Sequence, residues 1–170
     1  MAQRKALTPS GISVSEHAIS AVSNTTTETT VFTDTIKGGS LGTTKKIKLR
    51  LVCVITSVLT PPTLTLKMKY GASVLTIISA QTPSINLTTA LFVIDALLEN
   101  KDSTAVQFAW AEARQHGTLG PLSLTSPIYS AFGDWTEDST ADKTFSITVQ
   151  FGSTISDTSL TVKHVTYELQ

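Results

Sequence analysis

The stretch TIKGGSLGTTKKIKLRLVCVIT, Thr35 to Thr56, sets three glycines ahead of a run of cations, the residue types that grip a phosphate. A phosphate loop of the Walker type needs Gly-Lys-Ser/Thr after its spacer, so that backbone N–H groups and the Lys surround the anion. Here Gly42 is followed by Thr43, and GGSLG lacks the G-x-G-x-x-G spacing of a dinucleotide loop. The glycines therefore read as a turn or bulge needing positive φ. His17, His116 and His164 are far apart, and EARQH lacks the first His of a zinc-binding H-E-x-x-H. GGSLG spells G-x-S-x-G around Ser40, but it leads into no helix, which a nucleophile elbow needs. Cys53, the single cysteine, has no disulfide partner in the chain and sits in an apolar run, as a small buried hydrophobe does.

The acidic stretch FGDWTEDSTADK carries Asp134, Glu137, Asp138 and Asp142, oxygen ligands of the kind calcium takes. The EF-hand spacing and its glycine are missing, so the expectation is a solvated loop. Trp135, with Tyr129 before it, offers two readings. On an exposed loop it stacks on a sugar ring or docks on a partner; otherwise it tucks over the end of a sandwich, as large aromatics mostly do. The sequons NTT at Asn24 and NLT at Asn86 mean little without a secretion signal, and MAQRKALTPSG leads into no apolar h-region. No catalytic, cofactor or metal site is expected, and the chain reads as made and folded in a cytosol.

Lys46, Lys48 and Arg50 alternate with Ile47, Leu49 and Leu51. Nucleic-acid surfaces combine clustered cations with aromatics that stack on bases, and this run has no aromatic nearby. The formal net charge is zero and charged residues make up only 15% of the chain, which argues against a polyanion or an anionic membrane as main partner. The cations read as a solvated strand face or as gatekeepers against edge pairing, with a partner's acidic patch as the functional alternative. Lys67 and Lys69 join the same face if their strand is a neighbour.

The elements that would position these residues are strands. KIKLRLVCVIT places Ile47, Leu49, Leu51, Cys53 and Ile55 on one side, a period of two that a helix would scatter. Leu64, Leu66, Met68 and Tyr70 repeat the pattern, as do Phe145, Ile147, Val149 and Phe151. ETTVFTDTI and ASVLTIIS also read as strands, and ALFVIDALLENKDS as a strand buried on both faces. In TAVQFAWAEARQ, Val106, Phe108 and Trp110 alternate against alanines and Gln107; alanine's low β-propensity makes this strand the weak point. HGTLGPLSLTSPIYSAFGDWTEDSTADK reads mostly as loop. The last apolar set shifts phase from Leu160 and Val162 to Val165, Tyr167 and Leu169, which predicts a bulge near Lys163–His164. About eight strands with frequent turns predict an all-β sandwich or barrel. The boundaries expected are an extended arm over 1–24 and a sandwich domain over 25–170.

TTTETTVFTDTIKGGSLGTTKKIKLRLVCVI, LTLKMKYG, FSITVQFG and SLTVKHVTYEL together resemble the small jelly-roll modules of tailed-bacteriophage structural proteins, over roughly residues 24–170. The segment 103–143 departs from that pattern. The resemblance implies a virion component assembled in the bacterial cytoplasm, usually trimeric: a capsid decoration or head-fibre protein, or a tail-fibre tip. It carries over no catalytic residue and makes Gly38, Gly39 and Gly42 fold residues. The leading expectation is a non-enzymatic homotrimeric decoration protein on the capsid exterior, with the major capsid protein as partner and no nucleic acid or membrane. Arg4 and Lys5 of the arm would then tie it down, and Lys46, Lys48 and Arg50 would face the partner. The rival expectation is a receptor-binding tip that recognises a host glycan through Tyr129, Trp135 and the acidic loop.

Overall fold

The computed structural model describes residues 6–7, 13–14, 21–56, 62–82, 90–118, 128–155 and 157–170. Arg4, Lys5, His17 and Asn86 lie outside the described residues. Among the described residues every element is a strand: β1 (Ala6–Leu7), β2 (Ser13–Val14), β3 (Ala21–Ser23), β4 (Thr29–Ile36), β5 (Lys46–Thr56), β6 (Leu64–Tyr70), β7 (Ser73–Gln81), β8 (Ala90–Asn100), β9 (Gln107–Thr118), β10 (Ile128–Trp135), β11 (Lys143–Phe151) and β12 (Ser159–Leu169). β1 and β2 pair only with each other, and the rest form two antiparallel sheets ordered β10-β9-β8-β5-β12-β3 and β4-β11-β6-β7.

These orders define the architecture. Set the β9–β10 hairpin aside, and the sheets are β3-β12-β5-β8 and β4-β11-β6-β7, the two four-stranded layers of a jelly roll. The hairpin then continues the first sheet beyond β8. The chain is an all-β jelly-roll sandwich with one sheet widened to six strands. Within the arm expected over 1–24, Ala21–Ser23 adds an edge strand to β12 and buries Val22.

Alternation explains most of the core. The inward rows of β5, β6 and β11 are all buried, from Ile47 to Ile55, Leu64 to Tyr70 and Phe145 to Phe151. Phe32 on β4 meets Phe145 edge-on at 6.1 Å between centroids, and Tyr167 of β12 reaches across from the other sheet to within 5.5 Å of Phe32. This aromatic trio locks the two layers together. The bulge expected near Lys163–His164 is present: the β12–β5 register jumps between Val162 and His164, so Val162 and Val165 both face inward. A second bulge, where the β11–β4 register skips Val31, buries Val31 and Phe32 side by side.

Two segments depart from expectation. The stretch read mostly as loop contains β10, which pairs with β9 along its whole length. Its sequence, IYSAFGDW, holds Gly and Ser where a period-2 apolar row would signal a strand. In β9 the buried row is Gln107, Ala109, Ala111, Ala113 and Gln115, and the aromatics Phe108 and Trp110 turn outward, half-buried. The alanines of this row are fully buried, and on the neighbouring β10 Leu75 of β7 comes within ordinary contact, 3.8 Å, of where a Cβ on Gly133 would sit. Packing has overridden propensity.

Lys67 and Lys69 do not share the face of Lys48 and Arg50. β6 belongs to the four-stranded sheet, and both lysines converge on Glu28 ahead of β4. Glu28 Oε2 accepts from Lys67 Nζ at 2.7 Å, and Oε1 accepts from Lys69 and, at 2.9 Å, from Thr148 Oγ1. These donors, Lys67 first, pull the Glu28 carboxyl from 4.5 down to about 2. A depressed folded-state pKa stabilises the fold at pH values above the unfolded one, and that contribution disappears as pH falls through the folded one.

Two expected outcomes follow from this packing. Ala111→Leu should overfill the contact between β9 and β7 and destabilise by about 1–3 kcal/mol in urea unfolding. Glu28→Gln should cost about 2 kcal/mol at pH 7. It should also flatten the acid limb, so that wild type loses melting temperature more steeply than the variant between pH 4.5 and about 2.

Candidate functional site

The glycine turn and the acidic stretch, the two candidates for anion and metal chemistry, hold one another. Gly39 and Gly42 have φ of 76° and 53°, left-handed values that glycine adopts without strain. A Cβ on Gly38 would run into the Thr140 carbonyl oxygen, so the acidic segment needs glycine there to approach. The Gly38 N–H donates to Asp142 Oδ1 at 2.8 Å, and Lys37 Nζ donates to Oδ2 at 2.7 Å. The pair holds the Asp142 carboxyl below, and the Lys37 ammonium above, its ordinary value. Gly39 N–H donates to the Ser139 carbonyl at 2.8 Å.

Glu137, expected in a solvated loop, is 8% exposed. Its Oε1 accepts from the Ala72 and Ser73 N–H groups, each at 2.8 Å, and from Ser73 Oγ at 3.0 Å. Its Oε2 accepts from Lys143 Nζ at 2.8 Å. Lys143 is the main reason that its carboxyl stays below the usual range. The Gln107 side-chain amide pairs with the Glu137 backbone in both directions at 2.9 Å, in the manner of one more ladder rung. The segment is a structural clasp. Among the described residues no group of three or more His, Cys, Asp or Glu could hold a metal ion.

The other candidates are dispersed. Cys53 is buried, and burial pushes its thiol up to about 12, so it is unreactive. His116 lies on β9 and His164 at the β12 bulge, where its Nε2 is 3.3 Å from Thr166 Oγ1; β8 and β5 separate their strands. Trp135 does not stand on an exposed loop. It ends β10, 7% exposed within the core cluster, and Tyr129 packs against the same cluster. Both occupy odd positions of β10, the side that faces the second sheet.

Lys46, Lys48 and Arg50 are on the outer face of the six-stranded sheet, as their alternation requires, and register sets their company. One row across the sheet reads Glu168, Lys48, Leu97, Trp110, Phe132. The next reads Thr166, Arg50, Asp95, Glu112, Ser130. Asp95 joins two strands, ion-paired with Arg50 Nε at 3.3 Å and accepting from Arg114 Nη2 at 3.1 Å, while Arg114 Nε also donates to Glu112. Lys48 has no ion pair within 4 Å among the described residues. Around these rows lies a hollow of about 420 Å³, lined by Lys48, Arg50, Asp95, Leu97, Trp110 and Glu168 among others. Toward β10 the face becomes openly apolar: Phe132 is 75% exposed and Ile128 62%, with Leu91 at 42% on β8. Sequence reasoning treated the cations without Trp110 and Phe132, because only strand pairing brings residues so distant in the chain into one row.

No family model and no curated protein sequence matches the chain. Among solved structures, it is similar to lectin I-B4 from Griffonia simplicifolia in its metal-free form, at 6% identity and a TM-score of 0.40, covering 99% of this chain and 87% of the lectin. It is also similar to a chain of infectious bursal disease virus, Gt strain, at 8% identity and a TM-score of 0.35, covering 96% of this chain and 45% of the viral one. A third likeness is to the VP2 subviral particle of the same virus, at 9% identity and a TM-score of 0.33, covering 92% and 42%. The strand order, rather than these distant likenesses, defines the architecture.

Proposed function

We propose that the chain is a non-enzymatic structural protein of a tailed-bacteriophage virion, a decoration protein that binds the capsid exterior as a homotrimer. The observation that carries this reading is the outer face of the six-stranded sheet. It exposes Phe132, Ile128 and Leu91 beside Lys46, Lys48 and Arg50. Large apolar side chains left in the open on a face that also carries charge suit a protein contact surface. The apolar part supplies burial, and the cations select an acidic partner surface, for which the major capsid protein is the favoured candidate. The sandwich, including the edge strand β3, forms the body, and the part of the arm that precedes it, with Arg4 and Lys5, adds a second attachment. Neither nucleic acid nor membrane is required, and the protein resides in the virion after assembly in the bacterial cytoplasm.

A second reading has its own observation. Trp110 stands half-buried in the hollow between Lys48, Asp95 and Glu168, where a sugar ring finds both an apolar platform and hydrogen-bonding groups. On this reading the chain is a tail-fibre or receptor-binding tip that recognises a host glycan. Trp110 then takes the part expected of Trp135 and Tyr129.

Titrating the protein onto particles stripped of it, and separately onto host cells, decides between the two. Saturable binding to particles, weakened at least about tenfold by the double variant Lys48→Glu/Arg50→Glu with unchanged circular dichroism, is the expected result. Light scattering at micromolar concentration should give three times the monomer mass. Saturation of cells without particle binding would sink the decoration reading, and a stable monomer would remove the trimer.

A further inference from the structure

The hollow around Trp110 does not stand alone. A second one, of about 380 Å³, lies at the β8–β9 end of the same face, lined by Thr44, Glu99, Asn100, Lys101, Asp102 and Phe108. Glu99 pairs with Phe108 and Leu97 with Trp110, so the two hollows occupy successive outward rows of β8 and β9. Phe108 and Trp110 are two residues apart on one strand, which sets their Cα atoms about 7 Å apart on the same side. Each hollow thus holds one aromatic side chain, and the two are in line.

We propose that this pair of hollows is a binding site for a neutral oligosaccharide of two or more pyranose rings. The proposal rests on the second reading above and specifies its site and ligand class. A pyranose presents an apolar C–H face beside a rim of hydroxyls. Trp110 and Phe108 offer platforms for successive C–H faces. The rim meets carboxylate acceptors in Asp95 and Glu168 and a donor in Lys48, and bonds of that kind suit an uncharged hydroxyl, which both donates and accepts.

Charge and backbone geometry count against the other ligands that aromatics attract. Four carboxylates, Asp95, Glu99, Asp102 and Glu168, line the two hollows against three cations, Lys48, Arg50 and Lys101. A strand of nucleic acid or an acidic glycan would bring its charges against that excess. An extended peptide gains its affinity by adding to an open strand edge. Here the site is on a sheet face, where β8 is already paired on both sides.

The test uses the full chain with cellopentaose, mannopentaose and a β-1,4-linked N-acetylglucosamine pentamer as probes, and heparin and a single-stranded DNA oligomer as controls. Saturation-transfer NMR reports contact, and isothermal titration reports affinity. At least one neutral pentamer should bind saturably, more tightly than its monosaccharide. Trp110→Ala and Phe108→Ala should each weaken it by roughly tenfold while the melting temperature stays within a few degrees. Binding that survives both substitutions would overturn this site and leave the glycan reading standing. Failure of all three pentamers, together with no binding to host cells, would overturn both, and a preference for heparin or DNA would overturn the neutral-sugar assignment.

Discussion

The carboxylate of Glu137 is the contact on which the arrangement of the sandwich end depends. The chain from Trp135 to Lys143 must pass from the six-stranded sheet to the four-stranded one. On the way Glu137 closes the β6–β7 turn through the Ala72 and Ser73 amides, and its backbone pairs with Gln107 at the start of β9. Two residues on, Ser139 accepts from Asn100 at the end of β8 at 2.9 Å and binds Gly39 and Thr104. One short segment thus fixes three turns from both layers. A buried carboxylate stripped of such donors is costly, so the network is stable only as a whole.

That clasp also explains why the sheet can be wider than its partner. The hairpin β9–β10 adds two strands to the first sheet, beyond the four that a jelly roll stacks against four. Its inner side is covered because its alanines let β7 come close and because Trp135 and Tyr129 fold onto the core. Among the described residues its outer side receives no layer, and there the rows of Lys48, Trp110 and Phe132 lie. The hairpin contributes Trp110 and Phe108 to the paired hollows and Phe132 and Ile128 to the proposed contact surface.

What was legible in the sequence was whatever alternated. The inward row from Ile47 to Ile55 and the phase shift at His164 could be read because a strand with one buried face writes its period into its side chains. β10 was not legible, since its neighbours are Gly and Ser and its stability comes from pairing with β9. The outward turn of Phe108 and Trp110 was hidden for a related reason: the buried row of β9 is the alanine row, and hydrophobicity alone points the aromatics inward. Glu137 read as one more solvated acid because its partners at Ala72 and Ser73 are over sixty positions away. The cations of β5 were recognised as an outward set, but their aromatic neighbours belong to β9 and β10, and register is not a local property.

The strand order has a consequence for how the protein comes off the ribosome. β12 lies between β3 and β5, and β11 between β4 and β6, so strands made early wait for partners made 75 or more residues later. Until residues 143–169 emerge, β5 presents a bare hydrogen-bonding edge with Cys53 and its apolar row uncovered. Such non-local pairing folds slowly and invites association between nascent chains. Lys46, Lys48 and Arg50 are spaced along that strand, and charge beside an open edge is what resists such pairing.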